Sequence, residues 1–173
     1  MKVSSDPDPR LTVLIVDDNR DAADSMAILA ELWGHNPRVA YDAPAALRLV
    51  AQEPPDVILA DLGMPRLDGN ALARALRKEP AGNYVTLVAV TGHTDPGLRE
   101  QALAAGFHHY LIKPVEPAAL RELLAAKRQA SRETLARARE AVNRAEEVTR
   151  RTAELLAQLR ASHQSYTGQP RGE

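Results

Sequence analysis

The sequence predicts an α/β protein built on a five-stranded parallel sheet with helices on both faces. Five short runs of aliphatic and β-branched residues alternate with longer stretches in which apolar residues recur at helical spacing. Such runs are typical of parallel strands that are buried on both faces. Right-handed crossovers connect successive parallel strands, so five βα units form one doubly wound sheet. The predicted strands cover residues 12–16, 37–41, 57–60, 85–90 and 109–112.

Capping residues, prolines and glycines between the runs place the helices. An Asn before a helix can cap its first amide groups, Pro fits the first helical turn, and Gly fits the position after the last turn. The residues that mark the helices are Asn19 and Gly34 for the first, Pro44 and Pro54 for the second, Pro80 for the end of the third, Pro96 and Gly106 for the fourth, and Pro117 for the last. Asp68, directly before Gly69, is interpreted as a residue that shapes the loop before a helix.

Length and composition indicate one domain with an appendage. The chain has 173 residues, a net charge of −1 and no cysteine, so neither a disulfide framework nor thiol chemistry is expected. The near-neutral charge disfavours binding to nucleic acid or to an anionic membrane. The chain lacks both an apolar signal segment and a run long enough to span a bilayer, and we expect a cytoplasmic protein.

The last part of the chain differs in character from the rest. Residues 1–10 are predicted to be flexible, 11–126 to form the sheet domain, 127–163 a coiled-coil-like helix, and 164–173 a disordered tail. The helix carries an apolar seam at alternating three- and four-residue steps, which is the heptad spacing of a coiled coil. The seam consists of Leu135, Ala138, Val142, Ala145, Thr149, Thr152, Leu156 and Leu159, and Ala141, Val148 and Leu155 widen it. We expect this helix to dimerise, to fold back as a hairpin or to bind a partner, in parallel or antiparallel orientation.

Polar residues stand where four of the apolar runs end. Asp17 and Asp18 follow the first run, Asp61 the third, Thr91 the fourth and Lys113 the fifth. Because ligands of open α/β sheets bind at the carboxyl ends of the strands, these side chains should converge at one edge. Three carboxylates, one hydroxyl and one ammonium group suit a divalent cation together with a phosphoryl group.

These residues carry a resemblance to a known family. The matching pieces are Asp17-Asp18, the segment Ala-Asp-Leu-Gly-Met-Pro-Arg-Leu-Asp-Gly around Asp61, Thr91-Gly92, and the segment Tyr-Leu-Ile-Lys-Pro that contains Lys113. In this order and at these strand ends, they make residues 11–126 resemble the receiver domain of bacterial two-component response regulators, with a flavodoxin-like (βα)5 fold as in the chemotaxis regulators. The helix after residue 126 lies outside the resemblance.

The resemblance implies a role for each site residue. Asp61 would accept a phosphoryl group, and Asp18, Asp61 and the backbone carbonyl of Gly63 would coordinate Mg²⁺ (or Mn²⁺), with Asp17 assisting mainly through water. The ammonium group of Lys113 would pair with Asp61 and then contact phosphoryl oxygens, and the hydroxyl of Thr91 would donate to another phosphoryl oxygen. The Lys113–Pro114 bond would be cis. Thr91 and Tyr110 would form a switch, although a tyrosine on a strand can also serve packing alone.

The implied function is that of a phosphorelay protein. A sensor histidine kinase or a histidine phosphotransfer protein would donate the phosphoryl group, and output would pass through protein–protein contact. The protein would catalyse its own phosphorylation and dephosphorylation but would turn over no outside substrate. Alternatives are a receiver fragment of a hybrid kinase or of a larger regulator and, less favoured, a DNA-binding regulator. A homodimer would form through the C-terminal helix or through the face made by the fourth helix, fifth strand and fifth helix.

Overall fold

The computed structural model describes residues 9–65 and 68–167, with side chains described as far as residue 160. The chain divides into two compact units, Met1–Arg128 and Gln129–Glu173. The strands are β1 (Thr12–Val16), β2 (Asn36–Ala40), β3 (Val57–Asp61), β4 (Thr86–Thr91) and β5 (His109–Ile112). The helices are α1 (Arg20–Leu32), α2 (Ala43–Gln52), α3 (Gly69–Lys78), α4 (Pro96–Ala105) and α5 (Pro117–Thr167), with a 3₁₀ helix at Pro80–Tyr84.

The five strands form one parallel sheet in the order β2-β1-β3-β4-β5. This confirms the predicted fold class. The order reverses between β1 and β3, because β2 lies on one side of β1 and all later strands lie on the other. A crevice opens at such a reversal, outside the carboxyl ends of the strands.

Alternate residues of each strand supply two hydrophobic layers. On one face, Leu14 and Ile58 pack with α2, α3 and α4. On the other face, Ile15 and Leu59 pack with Met26 of α1 and with Leu120 and Leu124 of α5. Because successive strand residues point to opposite faces, a run that is apolar throughout is needed to fill both layers.

Aspartates and an asparagine cap the N-termini of the first four helices. Each side chain accepts a hydrogen bond from a backbone N–H of the first turn, which contributes about 1 kcal/mol per helix. The caps are Asn19, Asp42, Asp68 and Asp95. The loop-shaping role expected for Asp68 is therefore that of a helix cap.

Some boundaries differ from the sequence-based expectation. Strand β2 begins and ends one residue earlier than expected, and the 3₁₀ helix was not expected because Pro80 and Gly82 indicate only a break. Gly82 packs tightly there, since an added Cβ would lie 1.9 Å from the carbonyl oxygen of Leu76. Helix α5 continues through Thr167, into the segment expected to be a disordered tail. The rest of that tail, 168–173, and most of the flexible lead-in, 1–8, lie outside the described residues.

The structure contains no transmembrane candidate among its described segments: no helix there combines the length and the apolar character needed to cross a bilayer.

Arg77 joins three segments at the amino end of β4. Its guanidinium donates to the carbonyl oxygens of Gly82, Val85 and Gly106 and contacts the imidazole of His108. Nδ1 of His108 in turn lies 3.0 Å from the backbone nitrogen of Leu87, whose N–H donates to it. The imidazole has to be neutral to accept this hydrogen bond.

Two histidines make the fold sensitive to acid. Burial, and then the charge of Arg128, lowers the pKa of His35. Burial, and then the charge of Arg77, lowers the pKa of His108. The unfolded chain therefore takes up protons at a higher pH than the folded chain, so the free energy of unfolding falls as pH drops below about 6.5.

We expect the urea midpoint of unfolding to be lower at about pH 5.5 than at about pH 7.5. His108→Asn should lose less stability over this interval, because the amide oxygen of Asn can still accept from Leu87 but does not titrate. Urea titrations at both pH values measure this, and equal losses for the two chains would rule out His108 as a contributor.

Candidate functional site

The carboxyl ends of four strands bring the expected polar residues together. Asp17 and Asp18 follow β1, Asp61 and Thr91 are the last residues of β3 and β4, and Lys113 follows β5. Strands β1, β3, β4 and β5 are consecutive neighbours in the parallel sheet, so their ends share one edge. The site lies at the reversal of strand order between β1 and β3, where a ligand crevice is expected.

Three carboxylates form an acidic cluster. One oxygen from each of Asp17, Asp18 and Asp61 lies within 4.8 Å of the others. Asp17 is buried, Asp61 is 8% exposed, and Asp18 faces solvent. Carboxylate oxygens are the ligands that Mg²⁺ prefers, and the ion usually keeps several waters, which the exposed side of Asp18 allows. These residues therefore fit a hard divalent cation.

Lys113 balances part of this negative charge. Its Nζ lies 2.7 Å from Oδ2 of Asp17 and 3.3 Å from Oδ2 of Asp61. Burial alone would lower the pKa of Lys113, but the hydrogen bond that it donates to Asp17 and the charges of Asp61 and Asp17 outweigh this effect, so that its pKa is raised. The side chain thus remains an ammonium group next to the cluster. The Lys113–Pro114 peptide bond is cis, as the resemblance implies.

Backbone groups hold the two buried aspartates. Oδ1 of Asp17 accepts from the N–H of Asn19, and Oδ1 of Asp61 accepts from the N–H of Gly63. Since Oδ2 of each residue faces Lys113, both oxygens of each carboxylate have a polar partner. Buried carboxylates are tolerated when they are paired and hydrogen-bonded in this way.

Gly69 allows the start of α3 to approach Asp61. An added Cβ at this position would lie 2.5 Å from the carbonyl oxygen of Asp61 and 2.9 Å from the side chain of Leu62. The first contact is with backbone, which cannot move aside as a flexible side chain can. Any side chain at Gly69 would therefore displace either α3 or the end of β3.

Thr91 and Tyr110 hold the same peptide segment. Oγ1 of Thr91 accepts from the N–H of His93, at 3.1 Å. The hydroxyl of Tyr110 donates to the carbonyl oxygen of His93, at 2.9 Å. Tyr110 is half-buried and packs against the hydrophobic layer on the side of α2, α3 and α4. The two expected switch residues are thus connected through His93.

The structure brings every expected site residue to one edge and adds details that sequence patterns do not show. The resemblance pairs Lys113 with Asp61, whereas its shorter contact is with Asp17. The parts played by Asn19, Gly69 and the backbone of His93 were not expected. Asn19 was recognised as a helix cap and Gly69 as part of the loop before a helix, but nothing in a boundary pattern indicates that the same residue supports a site.

Comparison with known proteins agrees with this geometry. The sequence model of the response regulator receiver domain matches residues 13–125, well over half of the chain. The chain belongs to the response regulator receiver family. A receiver domain of this family therefore forms the first unit, and α5 extends it.

Two relatives show the extent of the match. The response regulator MprA of Mycobacterium avium is 35% identical over 124 residues, which are 72% of this chain and 52% of MprA. An uncharacterised 14.6 kDa protein of Leptolyngbya boryana is 35% identical over 115 residues, 66% of this chain and 88% of that protein. The chain thus spans about half the length of the MprA proteins that it matches.

Solved structures share the fold. A putative response regulator from Chloroflexus aurantiacus has a TM-score of 0.66 and 26% identity, covering 70% of this chain and 99% of its own. The signal receiver domain of a histidine kinase from Syntrophus aciditrophicus has a TM-score of 0.64 and 25% identity. The match covers 69% of this chain and 91% of that domain structure. Most or all of each structure thus matches about two-thirds of this chain.

We expect Gly69→Ala to lower the free energy of unfolding by about 1–3 kcal/mol, the usual effect of overpacking a close contact. Gly92→Ala is the matched control, because nothing lies within 4 Å of a Cβ added there. Urea unfolding of both variants measures the difference. Equal stability of the two variants would contradict the close contact at Gly69.

Proposed function

We propose that this protein accepts a phosphoryl group on Asp61 from the phosphohistidine of a sensor histidine kinase or a histidine phosphotransfer protein. The observation that carries the proposal is the position of the Asp61 carboxylate, within the acidic cluster and 3.3 Å from the ammonium group of Lys113. A carboxylate beside a fixed cation can act as a nucleophile towards an anionic phosphoryl group once charge repulsion is relieved.

Asp17, Asp18, Asp61 and the carbonyl oxygen of Gly63 are the residues that would hold Mg²⁺ or Mn²⁺. When bound, such an ion supplies positive charge that offsets the repulsion between carboxylates and phosphoryl oxygens. Asp17 already receives hydrogen bonds from Asn19 and Lys113 in the structure, which supports an indirect role for it.

Side chains of the protein position the reacting groups. A carboxylate oxygen of Asp61 forms the new bond to phosphorus while the phosphorus–nitrogen bond of the donor breaks and the electron pair leaves with the imidazole. The Lys113 ammonium group interacts with the phosphoryl oxygens. The hydroxyl of Thr91 can donate its proton to another phosphoryl oxygen, because its contact with His93 uses it as an acceptor. These contributions are positional and electrostatic, as a loose phosphoryl-transfer transition state requires.

The output of phosphorylation would begin at His93. A Thr91 hydroxyl that turns towards the phosphoryl group changes how it holds the His93 N–H, and the Tyr110 hydroxyl is bound to the carbonyl oxygen of the same residue. Thr91 and Tyr110 would thus act as a two-state element that a local charge change biases. The surface affected is the face of α4, β5 and α5.

Signalling would occur through protein–protein contact, in the cytoplasm and without nucleic acid. The protein would turn over no outside substrate, since its chemistry ends on its own Asp61. Homodimerisation would occur through α5 or through the face of α4, β5 and α5. A receiver that belongs to a hybrid kinase or to a larger regulator is the second candidate, and the similarity to a kinase receiver domain favours it.

Incubation with acetyl phosphate and Mg²⁺ should label the wild-type chain but not Asp61→Asn. Asp42→Asn is the matched control, because it makes the same chemical change at a helix cap that Asn fills equally well. Separation on a phosphate-affinity gel measures the labelled fraction. Equal labelling of Asp61→Asn and wild type would refute the proposal.

Asp18→Asn should weaken Mg²⁺ binding about tenfold or more, since it removes one of the few charged ligands that a Mg²⁺ site has. Isothermal titration calorimetry measures the dissociation constant, again with Asp42→Asn for comparison. Unchanged affinity would exclude Asp18 from the cation site. If the affinity falls while the urea midpoint of unfolding stays the same, the loss of affinity is a local effect at the site.

A further inference from the structure

The described part of α5 after Arg128 exposes an apolar stripe without charge. Its largest members include Leu135, 47% exposed, and Leu159, 66% exposed. The stripe is made of the apolar seam residues, which recur at heptad spacing, and of the residue directly before every second one of them. It comprises Thr134, Leu135, Ala138, Ala141, Val142, Ala145, Val148, Thr149, Thr152, Leu155, Leu156 and Leu159.

The opposite side of the helix repeats with the same period of seven. Glutamates recur at every seventh residue, and arginines recur four residues after them. These are Glu133, Glu140, Glu147 and Glu154, with Arg137, Arg144 and Arg151. An ion pair on this side of the helix joins Glu147 to Arg150, one turn along the chain.

A strict period of seven indicates that the stripe faces another helix. The stripe of a straight α-helix drifts by about 20° per heptad, so a sequence that keeps a seven-residue repeat favours left-handed supercoiling with a partner. The repeat runs through almost four heptads here. A partner with a globular or flat surface would not require the helix to keep a constant seven-residue repeat.

We propose that the stripe binds the same stripe of a second copy, antiparallel, with the midpoint between Asn143 and Arg144. This inference deepens the proposed homodimerisation and is independent of phosphoryl transfer to Asp61. An uncharged stripe gives no electrostatic preference for a partner of either sign, whereas the large and small residues between Leu135 and Thr152, and the charges beside them, fit the reversed order of the same segment.

The first argument is the size of the facing residues. In this register, Leu135 faces Thr152 of the second copy, Ala138 faces Thr149, and Val142 faces Ala145. Leu135 and Val142 thus meet smaller residues and Ala138 meets another small residue, so no layer between residues 135 and 152 pairs two large side chains, which allows the helices to pack at nearly constant separation. In a parallel pair, Leu135 would face Leu135 and Ala138 would face Ala138, so wide layers would alternate with layers that leave voids. Such voids lower stability.

The second argument is the charge beside the stripe. Arg139 lies at the edge of the stripe and faces Glu146 of the second copy, and by symmetry the pair occurs twice. Sliding the helices by one heptad, so that Leu135 faces Leu159, would instead place Glu146 against Glu146 and Arg132 against Arg160. Like charges across a helix pair disfavour that register.

Cysteine cross-linking of the full chain tests the orientation, because the natural sequence contains no cysteine. Oxidising a mixture of Ala138→Cys and Thr149→Cys chains should give a covalent dimer with one chain of each kind. Ala138→Cys alone should give none, and neither should Glu140→Cys on the outer side. A covalent dimer from Ala138→Cys alone would show parallel pairing and overturn the proposal.

Charge reversal tests the register. Arg139→Glu should raise the dimer dissociation constant about tenfold, because two exposed attractions become repulsions. The double variant R139E/E146R should restore it, and Arg137→Glu on the outer side should change it little. Analytical ultracentrifugation measures the constants. If R139E and R137E weaken the dimer equally, or if the double variant fails to recover, the register is wrong. If the wild-type chain stays monomeric while Asp61 still accepts a phosphoryl group, the pairing is refuted and the phosphoacceptor role stands.

Discussion

The charge balance at the carboxyl edge of the sheet is the constraint on which the rest of the site depends. Three carboxylates approach within 4.8 Å, and two of them are buried, so without a cation their repulsion would oppose folding. Lys113 supplies that cation from β5, two strands away from β3. The positions of β1, β3 and β5 are therefore coupled through one ammonium group, and backbone hydrogen bonds connect β4 to β3 and β5.

The two buried aspartates differ in their surroundings. Asp17 is buried and receives the shorter contact with Lys113, so it anchors the lysine. Asp61 has the longer contact, and its side chain is 11% exposed whereas that of Asp17 is 1% exposed. Gly69 then brings the start of α3 against the backbone of Asp61.

The fold was predictable because its signals are local and consistent. The apolar runs end at polar residues, each helix begins at a cap or at a proline, and Gly106 follows α4 with a positive φ of 109°, which favours glycine. Convergence of Asp17, Asp18, Asp61, Thr91 and Lys113 then follows from parallel strands. The family resemblance placed the cis bond before Pro114, which local preference alone does not decide.

The contacts that were not predicted depend on distances between segments far apart in the chain. Lys113 lies closer to Asp17 than to Asp61, and strand spacing and burial decide this difference in distance. The tight packing of Gly69 and Gly82 likewise depends on how closely a helix approaches backbone from another segment. Thr91 and Tyr110 both form hydrogen bonds with the backbone of His93, because these two residues of neighbouring strands reach the same loop. No periodicity in the sequence records such approaches.

The distribution of buried side chains along α5 has a consequence for how such proteins diversify. Among the described residues of this helix, the fully buried side chains are Leu120 and Leu124, both near its beginning. The hydrophobic layers of the sheet are built from residues between Leu11 and Leu124, all within the first unit. Selection can alter, lengthen or replace the stretch after Arg128 while the receiver fold is preserved, so a new connection can evolve without a loss of the existing core.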